Sequence, residues 1–537
     1  MKKQWKIISA MGLTLALLAN SVPAFAAHPK GYWPYLSAFT EAKNANNKDQ
    51  MLVKGNALLQ YYQNLPLDSD VASIRYNVNY ANYPIYESKG NYTKAKEALQ
   101  QVEVNGAYLG FTDAVTMAKE RERKISPNAQ VYALTNAQAP YYGAKNEPKS
   151  GTWYGRVWTE ANDAAAEGES IVSFYVELGQ STAADMDRYI SPFDDGKHAI
   201  HIAWNFPQEG STVAAINAGT YDANIQKTLS YLATLKSPVL LRIGGEMNVW
   251  TNATMGEAFK AAYTRIAQKA RTVAPNVALV FSPNYTSSFG GDMETYFPSA
   301  SLVDWVGASL YVNQYQSAFS PKPGQDANEM YFGIGNYADP VKSFSHAADL
   351  AKKYNKPMIV TEGGSGHSIS GSASLSNFAA ERVKELYTTL NMVYPQVKAI
   401  IYFDRNGSGY DYTLQNNAAV QAAYVSALKS NPTLISQVGQ QAQTFQPLSA
   451  VRGASGVITL RAYCDVIGQT VTATYSVDGK WLGTQTSMPY RCQLDSSTLT
   501  VGNHTLRVIF QAPNGYSQTL NYQLTKAADG SVSFQQA

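Results

Sequence analysis

The sequence is poor in cysteine and has no histidine cluster. Cys464 and Cys492 are its two cysteines, and the six histidines are scattered without a His-Glu-x-x-His pattern. The residue types that build common zinc sites are therefore not grouped in this chain. No Gly-rich phosphate loop follows the first strand-like segment of the central region, as a nucleotide-binding sheet would require. The sequence predicts no metal and no organic cofactor.

The first 26 residues have the three-part layout of a secretory signal. Lys2, Lys3 and Lys6 form a basic start, residues 8–18 are mostly apolar, and residues 24–26 read Ala-Phe-Ala, a small-x-small cleavage site. The alternative is a membrane anchor, but the apolar run is shorter than the roughly 18 residues that a span needs. We therefore expect cleavage after Ala26 and a secreted, extracellular protein without a membrane span.

The charge balance argues against a nucleic-acid partner. The chain has 43 basic and 40 acidic residues, and the signal accounts for three of the lysines, so the remainder is balanced. A nucleic-acid binder usually shows a basic excess or stripe. A neutral polysaccharide requires neither sign, and the 37 tyrosines agree with such a partner because flat rings stack on sugar rings.

The region after the signal, residues 27–135, is predicted to be helical. Residues 52–62 carry apolar side chains at helical spacing, and residues 90–99 resemble the start of the second helix of a tetratricopeptide repeat, with small residues at 95 and 98. One copy is visible, whereas such arrays need about three repeats to be stable. The alternative is a generic bundle of helical hairpins.

Residues 140–430 alternate short apolar strands with helical segments, the pattern of parallel βα units. The eight strand-like segments are 153–158, 171–176, 199–204, 239–243, 277–281, 305–311, 358–360 and 399–403. Eight units over this length predict a (β/α)8 TIM barrel, whose usual size is ~250 residues. A doubly wound open sheet is the alternative.

The C-terminal part is predicted to be an Ig-like β-sandwich over residues 449–537, after a polar, Gln-rich linker at 431–448. Residues 457–463, 471–475 and 505–510 alternate in the manner of strands, and Asp-Gly and Asn-Gly turn signals lie among them. Cys464 and Cys492 both fall in this region. In an exported protein, two nearby cysteines predict one disulfide.

Two glutamates close predicted barrel strands. Glu246 follows the fourth strand, where Arg242 shares its face, and Glu362 ends the seventh. The active site of such a barrel lies at the carboxyl ends of its strands. Glycoside hydrolysis requires two carboxyl groups there, one a protonated acid and the other an ionised nucleophile or base.

Several motifs around these glutamates resemble the retaining (β/α)8 glycoside hydrolase clan, and within it glycoside hydrolase family 26, the β-mannanase family. The similar segments lie at 147–151, 219–222, 241–242, 246–248, 282–284, 303–307 and 361–363. The resemblance implies that Glu246 is the acid/base and Glu362 the nucleophile. It implies that Tyr311 donates a hydrogen bond to Glu362 and that Arg242 keeps Glu362 ionised; a purely structural charge is the alternative for Arg242.

Further side chains at or near strand ends are candidates for substrate binding. These are Trp153, Trp204, Trp250, Tyr285, Phe403 and Asp404. For each aromatic residue, packing in the core or at the rim is the alternative to sugar stacking. For Asp404 the alternative is a rim charge paired with Arg405.

One position departs from the family pattern. The family usually has histidine immediately before its acid/base residue, and this sequence has Gly245. The missing side chain leaves the substrate open among β-mannan, other β-glucans, β-xylans and an exopolysaccharide. Two rival interpretations are a non-catalytic polysaccharide-binding protein on a degenerate barrel and an adhesion protein. Under any of these interpretations, the flanking domains are candidates for association with the cell surface.

Overall fold

The computed structural model describes residues 31–160, 168–250, 253–285, 292–314, 337–369, 375–407 and 409–537. The predicted signal therefore lies outside the described residues. The chain divides into two compact units, one of residues 1–126 with 514–516, and one of residues 127–513 with 517–537.

The first unit is helical, as predicted. Asn47, Asp68 and Asn91 each accept a hydrogen bond from a backbone N–H three residues later, which fixes the start of three helices. The tetratricopeptide resemblance stays a prediction. Between residues 31 and 126 the helices are Trp33–Asn44, Lys48–Tyr62, Ser69–Ser88, Tyr92–Tyr108 and Thr112–Ile125.

The second unit contains the predicted barrel. Eight parallel strands follow one another in sheet order, and the last pairs with the first to close the sheet. In chain order these barrel strands are Thr152–Val157, Ile171–Glu177, Ala199–Asn205, Val239–Ile243, Val277–Phe281, Trp305–Tyr311, Met358–Gly364 and Val397–Tyr402. The strands are buried along nearly their whole length because helices cover the outside and side chains fill the inside.

Helices lie in the connections between the barrel strands and after the last of these strands. The short strand Leu434–Ile435 pairs with the first barrel strand. In chain order the α-helices of the described barrel residues are Ala183–Ile190, Glu209–Asn217, Asp222–Leu232, Met247–Trp250, Gly256–Val273, Pro340–Ser343, Ser345–Lys353, Ser376–Thr388, Leu390–Val393 and Ala418–Ser430.

Two antiparallel sheets are formed mainly by segments that follow the barrel in the chain. In sheet order, one is Thr444–Pro447, Gln130–Thr135, Val457–Tyr463 and Cys492–Asp495, and the other is Lys480–Gln485, Thr472–Val477, Gly502–Gln511, Ser517–Lys526 and Val532–Gln536. Two predicted boundaries differ here. The strand Gln130–Thr135 lies in the region predicted as helical, and Thr444–Pro447 in the predicted linker. Each is short, and its pairing partner is distant in sequence.

The predicted disulfide is wrong, since Cys464 and Cys492 are both buried and no disulfide joins them. Strand register gives the reason. Cys492 pairs with Leu460 in the antiparallel ladder, so Cys464 lies four residues farther along, roughly 13 Å at the usual rise of a strand. Disulfide formation requires Cα atoms within about 7 Å.

Candidate active site

Glu246 lies in a turn just past the carboxyl end of the fourth barrel strand. Its φ is +60°, in the left-handed region that residues other than glycine seldom adopt. The backbone N–H of Glu246 donates to the Ser282 carbonyl at 2.9 Å, which anchors the turn to the segment after the fifth strand. Such backbone conformations cost on the order of 1–3 kcal/mol and cluster at active sites.

Glu362 lies in the seventh barrel strand and is 5% exposed. Arg242 Nη1 lies 2.9 Å from its Oε1, and the Ser309 hydroxyl donates to the same oxygen at 2.9 Å. The Tyr175 hydroxyl donates to Oε2. Burial raises the pKa of Glu362, but the charge of Arg242 and these hydrogen bonds outweigh it, so the pKa lies below its usual value. Glu362 is therefore held ionised.

Glu246 has different surroundings. The Asn284 side chain donates to its Oε1 at 2.9 Å. Asn284 is in turn fixed by Asn248, which accepts from its backbone N–H at 2.7 Å and donates to its carbonyl at 3.1 Å. Burial and the negative charge of Glu362 raise the pKa of Glu246, and the charge of Arg242 and the hydrogen bonds offset only part of that effect. These surroundings thus stabilise the protonated form of Glu246 more than water does for an ordinary glutamate.

The hydrogen bond predicted for Tyr311 is made by Tyr175 in the described residues. The Tyr311 ring instead contacts Phe403 and Tyr412, with centroids 5.4 and 5.3 Å away. The sequence interpretation missed Tyr175 and Ser309. Each lies two residues before the last residue of its strand, so alternation along the strands places them on the same face as Glu177 and Tyr311.

The candidate stacking residues divide by burial. Trp153 lies near the amino end of its strand and stacks on Trp305, and Trp204 is fully buried in the main core, so neither presents a free face. Tyr285 is also buried. Trp250 and Phe403 are partly exposed. The Trp250 indole donates to the Gly245 carbonyl at 2.7 Å.

Asp404 is buried, with 3% exposure, and pairs with Arg156 rather than with Arg405, the partner that the alternative interpretation gave it. Arg156 Nη1 donates to its Oδ2 at 3.1 Å, and the Leu414 backbone N–H donates to its Oδ1 at 2.7 Å. Arg156 also pairs with Glu169 at 2.6 Å. Asp404 therefore anchors the segment that follows the eighth strand. The Arg405 side chain remains exposed.

Comparison with known proteins gives a match to the C-terminal sheets. A family model described as a bacterial Ig domain matches residues 447–508, as the sequence predicted. Two relatives, the beta-1,3-xylanase TXYA of Vibrio sp and a beta-1,3-xylanase of Alcaligenes sp, are 29% and 28% identical to this chain over 147 residues. These matches cover 27% of this chain, and about a quarter of the length of each relative.

Similar solved structures include glycoside hydrolases. A modular endo-beta-1,4-mannanase of family 26 from Cellulomonas fimi is 12% identical, over 69% of this chain and 93% of that chain, with a TM-score of 0.39. The family 26 beta-mannanase BoMan26A from Bacteroides ovatus is 16% identical, over 54% and 92%, with a TM-score of 0.37. A family 5 xyloglucanase from Paenibacillus pabuli is 14% identical, over 52% and 97%, with a TM-score of 0.38.

Two other features are absent from the described ranges. None of their helices is long and apolar enough to cross a membrane. Their His, Cys, Asp and Glu side chains form no group of three or more that is arranged to hold a metal ion. The residues described at the site offer carboxyl, guanidinium, hydroxyl and amide groups.

Proposed function

We propose that this protein is a secreted retaining β-glycoside hydrolase that cleaves a polysaccharide by double displacement. The observation that carries the proposal is the contrast between two carboxyl groups at the same end of the barrel. Arg242, Tyr175 and Ser309 favour the ionised form of Glu362, whereas burial and the Glu362 charge favour the protonated form of Glu246. Two carboxyls whose pKa values move apart are suited to act as nucleophile and acid.

The first step forms a glycosyl ester. A carboxylate oxygen of Glu362 attacks the anomeric carbon, the bond from that carbon to the leaving oxygen breaks, and Glu246 gives its proton to that oxygen. Glu362 loses its negative charge on becoming an ester. The main charge that raised the pKa of Glu246 is then gone, so Glu246 is left as a carboxylate that is ready to accept a proton.

The second step consumes water. Glu246 takes a proton from a water molecule, the water oxygen attacks the anomeric carbon, and the bond to Glu362 breaks. The sugar leaves with its original anomeric configuration, and both glutamates return to their starting protonation states. Arg242 stabilises Glu362 whenever that carboxylate is free.

The comparisons support a glycan as the substrate class. The relatives are named as beta-1,3-xylanases, and the solved structures include mannanases and a xyloglucanase. The layout of the first 26 residues supports export. A β-linked polysaccharide outside the cell is therefore the proposed substrate.

The test is release of reducing sugar by the mature protein from β-1,3-xylan, β-mannans, other β-glucans and β-xylans, and bacterial exopolysaccharides. Release that disappears in Glu362→Ala supports the nucleophile. Azide added to Glu362→Ala should give an α-glycosyl azide, because azide attacks in place of the missing nucleophile. Azide added to Glu246→Ala should give a β-glycosyl azide, because azide attacks the glycosyl ester in place of water. Binding without release from any polymer would contradict hydrolysis and favour a non-catalytic polysaccharide-binding protein.

A further inference from the structure

Arg405 places a guanidinium group beside the proposed nucleophile. It follows the eighth barrel strand, and its Cζ lies 5.1 Å from the centroid of the Tyr175 ring. Tyr175 donates its hydroxyl hydrogen to Glu362. One tyrosine side chain therefore separates the Arg405 guanidinium from the Glu362 carboxylate, at the end of the barrel where the substrate binds.

The two other arginines near the site are neutralised by buried carboxylates. Arg242 pairs with Glu362 at 2.9 Å, and Arg156 pairs with Glu169 at 2.6 Å and Asp404 at 3.1 Å. Arg405 has no ion pair within the part of the chain that the structure describes. The Arg405 guanidinium contacts the Tyr175 ring, and the residue is exposed.

The Tyr175 ring holds the guanidinium by a cation–π contact, which uses none of the hydrogen-bond donors of Arg405. A cation over an aromatic face is stabilised by the ring quadrupole. The planar fork of N–H groups has a geometry that matches a carboxylate bidentately. Such an arginine is preorganised to receive an anionic group of a ligand.

We propose that Arg405 binds a carboxylate carried by the substrate, and that the substrate is a β-glycan containing uronic acid. This inference rests on the proposed function and names the substrate class of the same site. The carboxylate belongs to a sugar at or next to the bond that is cleaved, since Tyr175 joins Arg405 to Glu362. The overall charge balance of the chain is compatible with this, because recognition depends on one local cation.

The test compares acidic polymers with their neutral counterparts. Glucuronoxylan and a glucuronic-acid-containing exopolysaccharide are each used before and after chemical reduction of the carboxyl groups, which converts carboxylate to hydroxymethyl and leaves the linkages intact. The mature wild-type protein, Arg405→Gln and Arg507→Gln are compared by kcat/KM. Arg507 lies on an antiparallel sheet of the C-terminal part, so its variant controls for the loss of one positive charge.

We expect wild type to cleave at least one acidic polymer about tenfold or more faster than its reduced form. Arg405→Gln should remove most of that ratio, and Arg507→Gln should retain it. The carboxylate preference should also weaken as salt is raised, since the guanidinium is exposed. Equal rates on acidic and reduced polymers, or an Arg405→Gln loss that is equal on both, would overturn the inference.

A binding measurement separates this inference from the proposed function. Affinities for the same polymer pairs are measured with the wild-type protein and Arg405→Gln. If no polymer is cleaved but wild type binds the acidic forms more tightly and Arg405→Gln does not, hydrolysis fails and carboxylate recognition is supported. If binding is equal for both forms, or absent, carboxylate recognition is overturned.

Discussion

A Cβ atom built on Gly245 would lie 2.2 Å from both Cζ and Nε of Arg242. The guanidinium therefore occupies the space that a side chain at position 245 would enter. A shift of Arg242 would weaken two interactions, because Arg242 pairs with Glu362 at 2.9 Å and donates to Ser309 at 2.8 Å. The absence of a side chain at position 245 thus leaves room for the Arg242 guanidinium. The departure from the family pattern leaves the predicted electrostatic role of Arg242 intact.

We expect Gly245→Ala to lower kcat by roughly 10- to 100-fold, because displacing Arg242 weakens charged hydrogen bonds that each contribute about 1.5–3 kcal/mol. The pKa of Glu362 should rise, so the acidic limb of the pH–rate profile should move to higher pH. Gly483→Ala is the control, since its Cβ would meet only Cys492 Sγ, at 3.6 Å. Unchanged kinetics in Gly245→Ala would show that Arg242 adjusts freely.

The pH–rate profile is expected to be bell-shaped. Activity requires ionised Glu362 and protonated Glu246, so it should rise as pH increases through the lowered pKa of Glu362 and fall through the raised pKa of Glu246. The two apparent pKa values describe the interacting pair of carboxyl groups and not either glutamate alone. Kinetics with an aryl glycoside that has a good leaving group provide the check. In Glu246→Gln the alkaline limb should disappear, and its persistence would assign that limb to another residue.

Replacing Tyr175 or Tyr311 by phenylalanine removes one hydroxyl group and so distinguishes the roles of the two tyrosines. Tyr175→Phe removes a donor from Glu362, so kcat should fall by about tenfold or more and the acidic limb should move to higher pH. Tyr311→Phe should leave the acidic limb in place, because in the described residues its ring contacts Phe403 and Tyr412. The reverse pattern would restore the role that the family resemblance implied for Tyr311.

The thiols of Cys464 and Cys492 should both react in a thiol titration of the unfolded protein without reductant. Since no bond joins them, reductant should leave the melting temperature unchanged. A melting temperature that falls on reduction would contradict the register that separates these residues. Cys492→Ala measures the packing contribution of the buried side chain independently.

The barrel was predictable from local pattern because each strand is a short apolar run that helices and turns separate. The limits of the fourth to sixth barrel strands, Val239–Ile243, Val277–Phe281 and Trp305–Tyr311, agree with the predicted segments. Strand Gln130–Thr135 was missed because it pairs with Thr444–Pro447 and Val457–Tyr463, more than 300 residues later in the sequence. Nothing within a local window indicates such a partner.

The sequence by itself determined the alternation of strands and helices, and with it the barrel and the ends of the strands that carry Glu246 and Glu362. These features follow from side-chain periodicity and from the rule that all barrel strands point the same way. The tertiary structure decided which neighbours each group meets. In the tertiary structure the Tyr175 hydroxyl donates to Glu362, and Arg156 pairs with Asp404. Arg405 lies over the Tyr175 ring, and the two cysteines are not joined. Those arrangements involve residues from different segments of the chain, and their distances arise only when the sheets assemble.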